Sequence, residues 1–437
     1  MNAMRNMKDS GIDWIGEIPE EWGGIRLKEL FNKKQGGAWG DEAKENENDR
    51  VCIRVADFDF ERQTAKEGQK TVRNYNADVI SKLQIQGNEL LIEKSGGGEK
   101  TPVGRSILTD GLEGDLYANF IDKLPIKAAN YPKYVAYYMK TLYQNNIVIP
   151  YIKQTTGIQN LDLESLLFEI IIVPKYIEQQ KIADFLDKKC AEIDKLIELQ
   201  ESMIEKLKEY KQSVITQAVT KGLDPDVPMK DSGIEWIGKI PEGWEVVRIK
   251  NCYKLRDEKS YEDISKVNLI SLYTDLGVVQ NKDIIYKTGN KAVSAEGYKK
   301  VYKDDIVVNI ILCWMGAIGM SEYYGVTSPA YDVYSPLDGI YSKYYHYLFR
   351  TKEFNGQCYK YGRGIMMMRW RTYSSEFLAI PINKPPYIEQ QQIADYLDKK
   401  CAEIDDLIKL KEQKIEKLKK YKKSLIYEYV TGKKEVV

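Results

Sequence analysis

Tyr176-Ile177-Glu178-Gln179-Gln180-Lys181-Ile182-Ala183-Asp184-Phe185-Leu186-Asp187 opens a stretch without Gly or Pro that lasts to about Thr220, and the block returns at Tyr387-Ile388-Glu389-Gln390-Gln391-Gln392-Ile393-Ala394-Asp395-Tyr396-Leu397-Asp398. The copies start 211 residues apart, and 17 of their first 20 positions are identical. Charged residues surround an apolar stripe at Ile182, Leu186, Ile193, Leu196, Ile197, Ile204, Leu207 and Val214, repeated at Ile393, Leu397, Ile404, Leu407, Ile408, Ile415, Leu418 and Leu425. Steps of three and four residues predict two long amphipathic helices. Each extends about 65 Å at 1.5 Å per residue. A helix of that length with one apolar face needs a partner along it, and its own twin, laid head to tail, is the nearest candidate. Pro174 and Pro385-Pro386 stand just before the two starts, where proline is favoured.

A second repeat precedes each half. Met7-Lys8-Asp9-Ser10-Gly11-Ile12-Asp13-Trp14-Ile15-Gly16-Glu17-Ile18-Pro19 returns as Met229-Lys230-Asp231-Ser232-Gly233-Ile234-Glu235-Trp236-Ile237-Gly238-Lys239-Ile240-Pro241, at an offset of 222. A looser match joins Tyr131-Pro132-Lys133-Tyr134-Val135-Ala136-Tyr137 to Tyr341-Ser342-Lys343-Tyr344-Tyr345-His346-Tyr347, at 210. The second half is therefore shorter before this tyrosine segment. Short apolar runs such as Glu89-Leu90-Leu91-Ile92 and Asp305-Ile306-Val307-Val308 between Gly-containing loops predict an α+β fold. The expected order is a globular domain at 7–175, a long helix at 176–222, a linker at 223–228, a second globular domain at 229–386 and a second long helix at 387–432. Near-identical frames around unlike inserts suggest one physical operation applied to two targets.

Composition narrows the function. At 437 residues the chain exceeds what one core usually serves. No apolar run approaches the roughly 18 residues of a membrane span, and Met-Asn-Ala-Met-Arg-Asn has no apolar signal region, so no membrane partner and a cytoplasmic location are expected. The six cysteines are scattered without a Cys-x-x-Cys pair, which indicates neither a metal site nor a disulfide framework. His346 is the only histidine, so histidine-based triads and metal sites have almost nothing to draw on, and it reads as structural. Net charge is zero, from 65 basic and 65 acidic residues, so any DNA-binding charge must be local.

Three motifs invite functional readings. Ser95-Gly96-Gly97-Gly98-Glu99-Lys100-Thr101 resembles a phosphate loop, but Glu99 stands where glycine must let the backbone wrap the anion, and its carboxylate would repel it. Asn383-Lys384-Pro385-Pro386-Tyr387 resembles the Asn-Pro-Pro-Tyr of adenine methyltransferases, interrupted by Lys384 and without a Gly-rich cofactor loop elsewhere. Neither supports catalysis. The third is the acid-free run Tyr361-Gly362-Arg363-Gly364-Ile365-Met366-Met367-Met368-Arg369-Trp370-Arg371, with Tyr151-Ile152-Lys153-Gln154-Thr155-Thr156-Gly157-Ile158-Gln159-Asn160 at the same place in the first half. Arg forks suit guanine edges and phosphates, and Gln and Asn suit adenine edges. The candidate DNA contacts are Lys94, Arg105, Lys153, Gln154, Thr155, Gln159, Asn160, Arg363, Arg369 and Arg371. The candidate helix-pairing or partner-docking residues are Ile182, Leu186, Ile193, Ile197, Ile204, Leu207, Ile393, Leu397, Ile404, Ile408, Ile415 and Leu418.

The entry motif from Lys8, the two Glu-Gln-Gln starts at Glu178 and Glu389, and their order, repeated twice, resemble the specificity subunits of type I restriction–modification systems. That resemblance covers the chain from Met7. It implies two target-recognition domains, each reading half of a split, asymmetric site on double-stranded DNA, held apart by antiparallel helices that dock two methyltransferase subunits and, through them, restriction subunits. It implies no catalysis or cofactor in this chain, with S-adenosylmethionine, ATP and magnesium used by the partners. The competing readings are a self-contained adenine-N6 methyltransferase and a protein-interaction scaffold.

Overall fold

The computed structural model describes residues 5–154, 157–274, 276–280, 296–364 and 370–436. It divides into two compact units, Met1–Gln200 with Gln413–Val437, and Glu201–Glu412. Both boundaries fall inside the long helices, which run unbroken over Tyr176–Lys221 and Tyr387–Val430. Each unit thus contains one globular domain, the start of one long helix and the end of the other.

In the first unit, a four-stranded sheet has the order Ser106–Leu108, Glu89–Glu93, Ile121–Pro125, Gln35–Gly36. Glu89–Glu93 is buried along its whole length, as an apolar run covered on both faces should be. A second four-stranded sheet joins Leu116–Tyr117, Asp49–Ile53, Thr71–Asn74 and Asp41–Glu42, and Ile170–Val173 pairs with Gly23–Arg26 just before the long helix begins. The second unit repeats the first sheet with the order Ile318–Met320, Ile306–Asn309, Tyr331–Pro336, Tyr253–Leu255, and Pro381–Lys384 pairs with Glu245–Arg248.

The tyrosine segments are helices, Pro132–Gln144 and Ser342–Leu348. Their buried faces explain why tyrosine recurs: an apolar ring fills the core while the hydroxyl satisfies a buried polar group. Tyr134 Oη donates to the Val430 carbonyl at 3.0 Å, and Tyr344 Oη donates to the Val219 carbonyl at 2.8 Å. Those carbonyls lie in the last turns of the long helices, where no intrahelical donor remains. Gln179 and Gln390, the middle residues of the Glu-Gln-Gln repeats, are buried at the opposite ends. Each accepts the N–H that opens the tyrosine helix (Tyr131 or Tyr341, 2.8 Å) and donates to the carbonyl five residues before it, Pro174 at 3.0 Å or Pro385 at 2.8 Å. The near-invariant block is thus a joint that ties one tyrosine helix to the start of its own long helix and the end of the other.

The cores follow the same plan. Trp22, Tyr134, Tyr138, Leu186 and Ile193 pack with Leu425, Ile426 and Val430 in the first unit. Trp244, Tyr344, Ile393 and Leu397 pack with Ala218 and Val219 in the second. Both long helices end in a left-handed glycine, Gly222 (φ +77°) and Gly432 (φ +73°), which stops the helix without a Cβ penalty. A Cβ on Gly432 would lie 2.6 Å from Pro19 and one on Gly222 3.8 Å from Pro241, so both turns close on the entry motif.

Within each unit the long helices pair antiparallel. Phe185 meets Tyr429 and Lys422 pairs with Asp194 at 2.7 Å in the first; Lys211 pairs with Asp405 at 2.7 Å in the second. Ile182, Leu186, Ile193, Ile204, Ile393, Leu397, Ile404 and Ile415 are buried, and Ile197, Leu207, Ile408 and Leu418 are half-buried. Leu196 and Leu407 depart from the expected stripe, being 44% and 48% exposed. Each lies one residue, about 100° of helix rotation at 3.6 residues per turn, from the Ile that occupies the seam. No helix is long and apolar enough to cross a membrane among the described residues.

Candidate nucleic-acid interface

The central strand of each main sheet leads into the same construction. In the first unit the Leu161 N–H donates to the Lys94 carbonyl at 2.8 Å; in the second the Thr372 N–H donates to the Ile310 carbonyl at 2.9 Å. From these anchors hangs an antiparallel pair of short segments. Ile152–Gln154 pairs with Gln159–Leu161, setting Lys153 opposite Asn160. Arg363 stands opposite Arg371, their backbones exchanging hydrogen bonds at 2.9 and 3.0 Å. Lys153 and Arg363 differ by 210, Asn160 and Arg371 by 211. The single residue by which the repeat offset changes therefore falls between these two paired positions.

Backbone equivalence ends at the side chains. In the first unit Ser95–Gly96 adds a third strand beside Gln159–Asn160, bringing the glycine-rich loop to the hairpin. Ser95 Oγ donates to Asn160 Oδ1 at 2.6 Å. Buried Gln159 accepts the Val103 N–H at 3.2 Å and donates to Gln154 Oε1 at 3.3 Å. Gln154 and Asn160 are exposed. Lys153 is 74% exposed and pairs with Asp162 at 2.7 Å, a hydrogen bond that holds the Asp162 carboxyl down at about 2.

The second unit presents aromatics and guanidinium groups instead. Trp370 stacks on Tyr359 with centroids 4.8 Å apart and donates its indole N–H to the Tyr359 carbonyl, while Trp314 meets Tyr359 edge-on. Gly362 makes the room, since a Cβ there would lie 2.5 Å from the Trp370 nitrogen. Arg363 pairs with Glu376 at 2.9 Å and lies over the Tyr373 ring. Arg371 is exposed and has no carboxylate partner among the described residues. The sequence does not reveal this aromatic support, because Tyr359 and Trp370 are eleven residues apart and meet only in the fold.

The other sequence candidates are placed differently. Lys94 pairs with buried Asp122 at 2.8 Å, and Arg105 pairs with buried Glu93 at 2.9 Å while lying over Phe60. Burial still raises the Glu93 carboxyl despite that partner. Both cations are tied into the sheet. Thr155 and Arg369 lie outside the described residues. His346 is half-buried, accepts the Met320 N–H on Nδ1 and is pushed down to about 3 by desolvation, then by Arg350 and Lys343. Asn383 is fully buried and donates to Val219 O and Tyr344 Oη, completing the second joint.

Residues 19–209 match the family model described as the type I restriction modification DNA specificity domain. Over nearly its whole length the chain is also similar to the MjaX type I restriction enzyme specificity subunit of Methanocaldococcus jannaschii, at 24% identity across 96% of this chain and 95% of that one. Residues 19–209 thus form a type I specificity domain, and the chain resembles the type I specificity subunits over nearly its whole length. The MjaVIII specificity subunit of the same organism is 24% identical over 64% of this chain and 65% of its own. Two solved structures share the fold of this chain. One comes from work on complex assembly and conformational transition of the type I R-M system (TM-score 0.69, 12% identity, 94% of this chain and 98% of that one). The other is the HsdS subunit from Thermoanaerobacter tengcongensis (TM-score 0.56, 13% identity, 95% and 98%). In this chain, the repeated blocks form the joints, and the inserts carry the unlike hairpins.

Proposed function

We propose that the chain reads a bipartite, asymmetric site on double-stranded DNA, one half per globular domain, and docks two methyltransferase subunits that in turn recruit restriction subunits. It contributes recognition and assembly; S-adenosylmethionine, ATP and magnesium chemistry belongs to those partners. One observation carries the reading: the same hairpin hangs from the same strand position in both units, with amides on one and arginines on the other. Two readers built on one backbone but with different donors select different base edges.

The long helices support the docking part. Leu196, Leu199 and Tyr421 in the first unit, and Leu407, Leu410 and Tyr210 in the second, are exposed apolar side chains on these helices, beside the buried seams. Zero net charge agrees with a chain whose partners add phosphate contacts. The methyltransferase reading loses its motif, because Asn383 is buried and holds Val219 and Tyr344. The test is DNA binding by purified methyltransferase subunits with and without this chain. Specific over non-specific preference should reach about 10³-fold or more only with it; equal preference in both cases refutes the proposal. Calorimetric binding of S-adenosylmethionine to this chain alone would favour the enzyme reading.

A further inference from the structure

We propose, resting on the reading above, that the two hairpins assign base chemistry to the two half-sites: Gln154 and Asn160, on opposite faces of their hairpin, read separate adenine-containing positions in one, and Arg371 reads a guanine-containing position in the other. In the first unit both exposed amides are held at their oxygen, Gln154 by Gln159 and Asn160 by Ser95. An amide oxygen has two lone pairs and its NH₂ two donors. Each amide therefore keeps one acceptor and its donors for the N6–H and N7 of adenine, which require that combination. The Val103–Gln159–Gln154 chain sets the rotamer before DNA arrives, as a reader requires if its side-chain entropy is not to oppose binding.

The described residues of the second hairpin offer a different contact. Among them, the exposed side chain without a carboxylate partner is the Arg371 fork, a donor without an acceptor, which matches O6 and N7 of guanine. Arg363, opposite Arg371, is also exposed but is paired with Glu376 at 2.9 Å, which makes it the supporting member of the pair. Trp370, next to Arg371 in the chain, stacks on Tyr359 in the helix Lys352–Tyr361 and braces the segment that carries Arg371.

The experiment is selection of DNA from a random library by the purified complex of this chain with its methyltransferase subunits. It compares wild type with Gln154→Ala/Asn160→Ala, with Arg371→Ala and with Arg371→Lys, after melting curves confirm that each variant folds like wild type. The amide variant should relax A·T positions by about 5- to 150-fold each in one half-site and leave the other half-site unchanged. Arg371→Ala should relax a G·C position by a similar factor in the other half-site. Arg371→Lys should also lose guanine discrimination while keeping the salt slope, because the charge stays and the fork goes. An unchanged motif, relaxation of the same half-site by both hairpins, or a uniform loss across all sequences overturns the assignment while the bipartite reading survives. A wild-type complex that selects no bipartite motif removes both.

Discussion

The joint and the hairpin have diverged in opposite ways. At the joint, Gln179 and Gln390, and Tyr134 and Tyr344, make the same hydrogen bonds with closely similar lengths. At the hairpin the backbone pairing persists while Lys-Gln-x-x-Gly-Ile-Gln-Asn faces Arg-Gly and Trp-Arg across the repeat. The physical difference is burial. A buried amide or hydroxyl must find its partner or cost the fold its desolvation energy, so its identity is fixed. An exposed side chain on a hairpin held by backbone hydrogen bonds carries no such constraint and is available for change.

The comparison breaks most readily at the helix ends. Val430→Asp and Val219→Asp should each cost several kcal/mol, by placing an unpaired carboxylate among core residues. Scanning calorimetry should show loss of the unit that receives the altered end, and a wild-type melting profile for either would contradict the joint. Gln179→Leu and Gln390→Leu should cost about 2–4 kcal/mol each, since two backbone groups lose their partner at once. Urea melts of the two variants should give matching losses.

Alkali offers a third way to sharpen it. Burial holds the Tyr134 and Tyr344 hydroxyls well above their ordinary value of 10. A folded-state value above the unfolded one means that their stabilisation is complete below about pH 10 and declines as pH rises beyond it, by about 1.4 kcal/mol per pH unit for each such tyrosine. Tyr134→Phe and Tyr344→Phe should therefore flatten the fall in stability above pH 10. A slope identical to wild type would remove these tyrosines as its cause.

The equivalent helix ion pairs test where the halves differ. Lys422, beside Asp194, is 7% exposed; Lys211, beside Asp405, is 29% exposed. Asp194→Asn should cost about 1–3 kcal/mol by stranding a buried cation, and Asp405→Asn less than about 1 kcal/mol. Equal losses would show that the environments do not matter. The smallest effect expected is local: Lys153→Ala should let the Asp162 carboxyl rise from about 2 toward its ordinary range, measured by NMR titration, with no measurable change in melting.

Much of the frame was legible in sequence because buried periodicity and repetition are sequence properties. The Ile stripe, the prolines before Tyr176 and Tyr387, and the offsets located both long helices. Leu196 and Leu407 show the limit, since an apolar residue one step off a seam looks the same in a hydrophobic pattern. At the candidate interface, the equivalence of the Lys153 and Arg363 segments could be read from their spacing. The division between Gln154, exposed, and Gln159, buried behind it, could not. Nor could the pairing of Lys94 with Asp122 or Arg105 with Glu93, because a cation in a list of residues does not reveal which carboxylate folding brings beside it.

The central claim is that one frame performs the same reading twice with unlike readers. Methylome sequencing of cells carrying this chain and its methyltransferase subunits tests it most directly. The account predicts one bipartite motif with two different half-sites, lost when this chain is deleted; a palindromic motif, or a methylome unchanged by the deletion, would contradict it.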